Sequence, residues 1–138
     1  MNVVLDTHIW VWWLTATSPL KPFEREALDL AAERRELHIA AISLWEAQVL
    51  HAKRRLDLPV PFAAWLTRAA DPRIVSVLPL DVDVVLATDE LPASFQGDPA
   101  DRLIVATARA HTMHLATRDA AIRKSRTVSL WKAEKNGG

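Results

Sequence analysis

The chain contains no cysteine, which excludes disulfides, zinc–thiolate sites and cysteine nucleophiles. Glycine is scarce, with three residues at positions 97, 137 and 138. A phosphate-cradling P-loop or a Rossmann fingerprint needs closely spaced glycines at the start of a helix, so both readings fall. No apolar run approaches the length of a membrane span. The opening Val3-Val4-Leu5 is interrupted by Asp6 and His8 and has no basic stretch before it, unlike a signal peptide. A cytoplasmic protein with no membrane partner is the expectation. Net charge is also lacking, since 17 Lys and Arg balance 17 Asp and Glu.

That balance hides a gradient. Residues 1–98 carry nine basic and fourteen acidic side chains, whereas residues 99–138 carry eight basic and three acidic ones. The second segment, with Arg118, Arg123, Lys124, Arg126, Lys132 and Lys135, is basic beside an acidic remainder. A basic rim next to an acidic pocket suits a phosphodiester that touches both; a merely solvated basic tail is the plainer alternative. Half of the 138 residues are hydrophobic and a quarter are charged, the balance of an ordinary globular protein. One domain over residues 1–138 is expected, large enough to bury a core.

The hydrophobic pattern alternates short apolar runs with helical stretches. Strands are predicted at residues 2–6, 37–42, 74–80, 115–117 and 128–130. Helices are predicted at 9–15, 23–34, 43–55, 62–70, 81–90, 99–111 and 120–124. In the second of these Phe23, Ala27, Leu30 and Ala31 share one face, and Asp81 is placed to cap the fifth. The helix from Pro99 is apolar nearly all round and should be buried. Strands alternating with helices predict an α/β protein whose parallel sheet of about five strands is covered on both faces. No repeat, low-complexity tract or linker is visible, and residues 136–138 read as a loose end.

Four acids fall where a strand hands over to a helix or where a helix begins: Asp6 in VVLDTH, Glu46 in SLWEAQ, Asp101 in DPADRLIVATA and Asp119 in ATRDAAI. In a parallel sheet such positions converge on the crevice beyond the carboxyl ends of the strands. Carboxylates gathered there repel one another unless a cation lies between them, and their oxygens suit Mg²⁺ or Mn²⁺. Each also has a local alternative. Asp6 and Asp119 are placed to cap the helices that follow. Ser43-Leu44-Trp45-Glu46 fits a capping box, with Glu46 reaching back to the backbone. Asp98 precedes Pro99 and reads as the cap of its helix, which leaves Asp101 one turn on, favoured by the helix dipole. It is the joint placement that points to one metal-bearing acidic site.

Other chemistries lack their frames. Ser43 and His111 have no G-x-S-x-G turn around them. The five histidines (8, 38, 51, 111 and 114) show no H-x-x-x-H spacing on one helix, so no zinc site is expected. The six tryptophans are core residues in the main, with Trp45 and Trp65 the candidates for a partner interface.

The blocks VVLDTHIWVWWL, AAISLWEAQVLHAKRRLDLP, GDPADRLIVATARA and LATRDAAI, in that order, resemble PIN-domain ribonucleases, specifically the VapC-type toxins of toxin–antitoxin pairs. The resemblance spans nearly the whole chain. It implies a three-layer α/β/α fold and an acidic site formed by Asp6, Glu46, Asp101 and Asp119. Thr7 assists through its hydroxyl, and Asp98 stands as an outer acid. Mg²⁺- or Mn²⁺-dependent endoribonuclease activity, an RNA substrate, a VapB-type antitoxin and a homodimer follow from the same likeness. Arg118 is a candidate to steady the leaving oxygen. Two rivals remain: a PIN-like binding module with a weak or vacant metal site, and a phosphate-transferring receiver domain or phosphatase. Against the second stands Asp6-Thr7-His8, which lacks the Asp-x-Asp that such proteins carry after the first strand.

Overall fold

The computed structural model describes residues 1–15, 18–95 and 97–133. Lys135 of the basic segment and the expected loose end at 136–138 lie outside the described residues. The elements run β1 (Val3–Leu5), α1 (Thr7–Trp13), α2 (Pro22–Glu33), β2 (Leu37–Ala40), α3 (Ala41–Ala52), α4 (Phe62–Ala69), β3 (Ser76–Leu78), α5 (Val82–Asp89), α6 (Pro99–Ala110), β4 (His114–Ala116) and α7 (Ala120–Ser125). The strands form one parallel sheet in the order β3-β2-β1-β4. The chain therefore builds outward from β1 on one side and then returns to add β4 on the other. This reversal makes β1 and β4 a topological switch point, where such sheets open a crevice at the carboxyl ends of their strands.

Strand periodicity divides the core. Val3 and Leu5 face a cluster with Trp10, Trp13, Leu28, Leu37, Ile39 and Trp65. Val4, between them, faces the opposite cluster of Phe95, Ile104, Val105, Leu115 and Ile122. Successive side chains of a strand point to opposite faces, so three residues of β1 anchor both outer layers. Helix α6 is buried along Ile104, Val105, Ala106, Thr107 and Ala108. Its outer side carries α5, through Val84 and Ala87 against Ala106. The result is a three-layer α/β/α domain.

Among the described residues the sheet has four strands, not five. Residues 128–130 contribute a single parallel bridge, Leu115 to Leu130, held by Leu115 N–H to Ser129 O at 2.8 Å and Trp131 N–H to Leu115 O at 2.9 Å. The segment is too short to extend the ladder beside β4. Helix α2 keeps part of the expected face, with Phe23, Ala27 and Ala31 half-buried and Ala31 packed on the core. Leu28 is its fully buried residue, and Leu30 is 45% exposed. Trp65 is 6% exposed and packed on Trp10 at 5.5 Å between ring centres, so it is a core residue and not an interface one. Trp45, by contrast, is 58% exposed.

Leu115 has no solvent exposure and joins β4 to the α6 face of the core. Leu115→Ala is expected to lower unfolding free energy by about 2–5 kcal/mol, read as a lower urea midpoint; a loss under about 1 kcal/mol would mean that this layer repacks freely.

Candidate active site

The register brings the acids to one edge. Leu5 lies opposite Ile39 on one side and Ala116 on the other. The residues following these strands thus emerge together beyond the sheet. Asp6 follows β1 directly and caps α1, its Oδ1 accepting from Thr7 N–H at 2.8 Å. Its Oδ2 accepts from the Thr117 hydroxyl, just past β4, at 2.7 Å. Both oxygens of a side chain only 7% exposed are therefore oriented.

Glu46 occupies the second turn of α3, and the expected capping box is absent. The helix starts at Ala41, with Ala40 as its uncapped N-cap residue, so Ser43 lies inside the first turn, too late to cap. The apolar run of β2 passes into the helix without a break, which hides the start. Ser43 is fully buried and lies 2.8 Å from the Thr7 hydroxyl. Thr7 Oγ1 donates to Glu46 Oε1 at 2.5 Å. Thr7 has one hydroxyl hydrogen, so Ser43 donates to Thr7 and Thr7 to Glu46, a directed chain from the core to the carboxylate.

Asp98 caps α6 by accepting from Asp101 N–H at 2.8 Å, as Pro99 implied. Asp101 itself has no side-chain hydrogen bond among the described residues. Asp119 caps α7 through Ile122 N–H at 2.9 Å, while its own N–H donates to Thr117 Oγ1 at 3.0 Å. Thr117 therefore links Asp6 to Asp119, a role the sequence reading missed. A hydroxyl residue at a strand end, two places before an acid, was the available signal.

These residues surround one cleft of about 390 Å³, lined by Asp6, Glu46, Asp98, Asp101 and Asp119 together with His8, Trp12 and Arg118. Burial raises the pKa of Asp6, against the hydrogen bond from Thr117. Burial also raises Glu46, with Asp6 and Asp98 adding to the rise. Asp101 goes furthest, to about 7, through burial and then repulsion from Asp98, Asp6, Asp119 and Glu46. That all four other acids act on one carboxyl places the whole set within electrostatic reach of it. Arg118 lies at the rim but is spoken for: it pairs with Glu24 at 2.5 Å and donates to Pro19 O at 3.3 Å.

A parallel α/β/α sheet with carboxylates gathered over the switch between β1 and β4 is the architecture of the PIN domain, and the PIN domain family matches residues 3–126. The chain belongs to that family, as a member of the VapC type. It is 38% identical over 134 residues to ribonuclease VapC22 of Mycobacterium tuberculosis, covering 94% of this chain and 98% of that one. Among solved structures, VapBC2 from Rickettsia felis bound to a promoter DNA fragment aligns over 95% of this chain and 98% of its own, with a TM-score of 0.71 and 18% identity. FitAcB from Neisseria gonorrhoeae aligns over 95% and 97%, with a TM-score of 0.68 and 19% identity. At such identities these structures support the fold.

The Asp101 carboxyl binds its proton more tightly in the folded protein, at about 7, than at its ordinary value of 3.8. Its contribution to stability is thus complete below about pH 4 and is lost as pH rises towards 7. In metal-free buffer, Asp101→Asn should therefore gain melting temperature relative to the natural chain between pH 5 and pH 8. Calorimetry showing the same difference at both values would contradict the Asp101 assignment.

Proposed function

We propose that the chain is a divalent-metal-dependent endoribonuclease of the toxin class, held inactive by a VapB-type antitoxin. The observation that carries this reading is the set of five carboxylates around one cleft whose one arginine, Arg118, is paired outward to Glu24. Support comes from the ribonuclease relative and from structural neighbours described as VapBC complexes bound to DNA.

The donor set fits Mg²⁺ or Mn²⁺: hard oxygens, raised proton affinity through crowding, and no sulfur. Asp6 and Asp101 would hold the ion, with Glu46 and Asp119 in support. Among the described residues no three acidic or imidazole groups already stand in a metal-holding arrangement. Loading therefore involves side-chain rotation, for which the unpartnered Asp101 carboxyl and the second oxygen of Glu46 are available. Bound there, the ion supplies Lewis-acid polarisation of a phosphodiester.

The protein's own groups orient and exclude. Thr7 and Thr117 hold Glu46 and Asp6 so that neither carboxylate has to be reoriented at the moment of reaction. Arg118 marks the rim on the basic side and favours approach of an RNA backbone; contact with a leaving oxygen requires it to release Glu24. A guanidinium pairs bidentately with carboxylates, so an arginine of the antitoxin suits this cleft, with exposed Trp45 as an apolar anchor. A homodimer accords with the family. No helix among the described residues is long and apolar enough to cross a membrane.

Asp6→Asn keeps the size of the side chain, and the Thr117 hydroxyl can turn to accept from the new amide, so the fold should persist. Cleavage of RNA in Mg²⁺ or Mn²⁺ is expected to fall about a hundredfold or more, the consequence of several kcal/mol of lost charge stabilisation. Full activity in this variant would overturn the reading, and a natural chain that binds but never cleaves RNA would leave a binding module in its place. Glu46→Gln separates architecture from chemistry. Glutamine still accepts from Thr7, so the melting temperature should stay while cleavage drops steeply; undiminished cleavage would confine Glu46 to packing.

A further inference from the structure

Beside the carboxylate cleft lies a second hollow of about 220 Å³, whose lining includes His8, Val11, Trp12, Leu50, Arg55 and Asp57. His8 and Trp12 line both spaces, so they form a shared wall. Trp12 is held as part of it: the His8 ring stands 5.5 Å away, tilted by 51°, and the Arg118 guanidinium lies 5.8 Å from the indole centre. The hollow far exceeds the roughly 30 Å³ share of one water and has an apolar floor from Val11 and Leu50.

Its polar groups include, beside His8 and Thr15, a donor and an acceptor that do not pair with each other. Arg54 adopts a left-handed conformation, φ 57°, as the chain leaves α3, and the Arg55 N–H returns to Leu50 O at 2.9 Å. This turn brings Arg55 and Asp57 to the mouth of the hollow, both exposed. Neither side chain has a hydrogen bond or ion pair among the described residues. Arginine offers two parallel N–H donors, and aspartate two acceptor oxygens. Guanine is the base that meets both in bidentate fashion: O6 and N7 accept on one edge, and N1–H and N2–H donate on the other. Adenine would turn its amino group towards arginine. An aromatic wall adds stacking, the usual way an unpaired base is held.

We propose that this hollow seats a guanine base of single-stranded RNA, in a nucleotide next to the phosphate that enters the carboxylate cleft. The proposal rests on the ribonuclease reading and adds a sequence preference to it. The test uses short single-stranded RNA oligonucleotides that differ only by guanine or adenine at each position flanking the cleaved bond. The natural chain should favour guanine about tenfold or more in kcat/KM, the discrimination of one good bidentate contact. Arg55→Ala and Asp57→Asn should bring that ratio towards one, with the larger loss in kcat/KM falling on the guanine oligonucleotide.

Fluorescence anisotropy of the same labelled strands on the natural chain and on Asp6→Asn gives the preference without catalysis. If nothing is cleaved but guanine is still bound in preference, and both variants lose that preference, the base site stands and the ribonuclease reading falls. Equal handling of guanine and adenine, or a preference that survives both substitutions, would overturn the proposal. So would substitutions that weaken only the antitoxin's grip, which would give the hollow to the protein partner.

Discussion

Mutual repulsion among carboxylates at one edge of the sheet is the constraint around which this domain is organised. Parallel strands end in register, so the residues after β1 and β4 must emerge side by side. Asp6 and Asp119 are acids at that edge, and α3 and α6 add Glu46, Asp98 and Asp101. Burial and crowding push the Asp101 carboxyl up to about 7. Buried like charges are unfavourable, and the fold does little to neutralise them. It fixes them instead with hydroxyls, Thr7 on Glu46 and Thr117 on Asp6. A site that is electrostatically unfavourable when empty is one that gains from a cation.

The surroundings of the cleft follow the same logic. Arg118 stands at its rim, paired outward to Glu24, and six of the eight basic residues between positions 99 and 138 lie after β4 in sequence. Between residues 74 and 101 there is no lysine or arginine, but there are six acids. The zero net charge is thus the sum of two opposed stretches of the chain.

Much of this was legible in the chain itself. The apolar runs at β1 and β2, the helix opened by Asp98 and Pro99, and the Asp81 cap could be read because propensity and capping act over a few residues. Where the reading missed, a longer-range competitor won. Residues 128–130 have strand composition but find one bridge at the sheet edge. Ser43 satisfies a capping pattern, yet its helix begins two residues earlier and it serves Thr7 instead. Trp65 could be told from Trp45 as core only once Trp10 was in place against it.

By itself, then, the sequence determined the α/β class, the order of elements and the acids that fall at strand–helix junctions, because these depend on local periodicity and on backbone groups a few residues apart. Only the tertiary structure decided that β4 joins the far side of β1, that Thr117 reaches Asp6 across 111 residues, and that His8 and Trp12 divide the acidic cleft from its neighbour. Those relations arise from packing between distant segments, and no spacing along the chain encodes them.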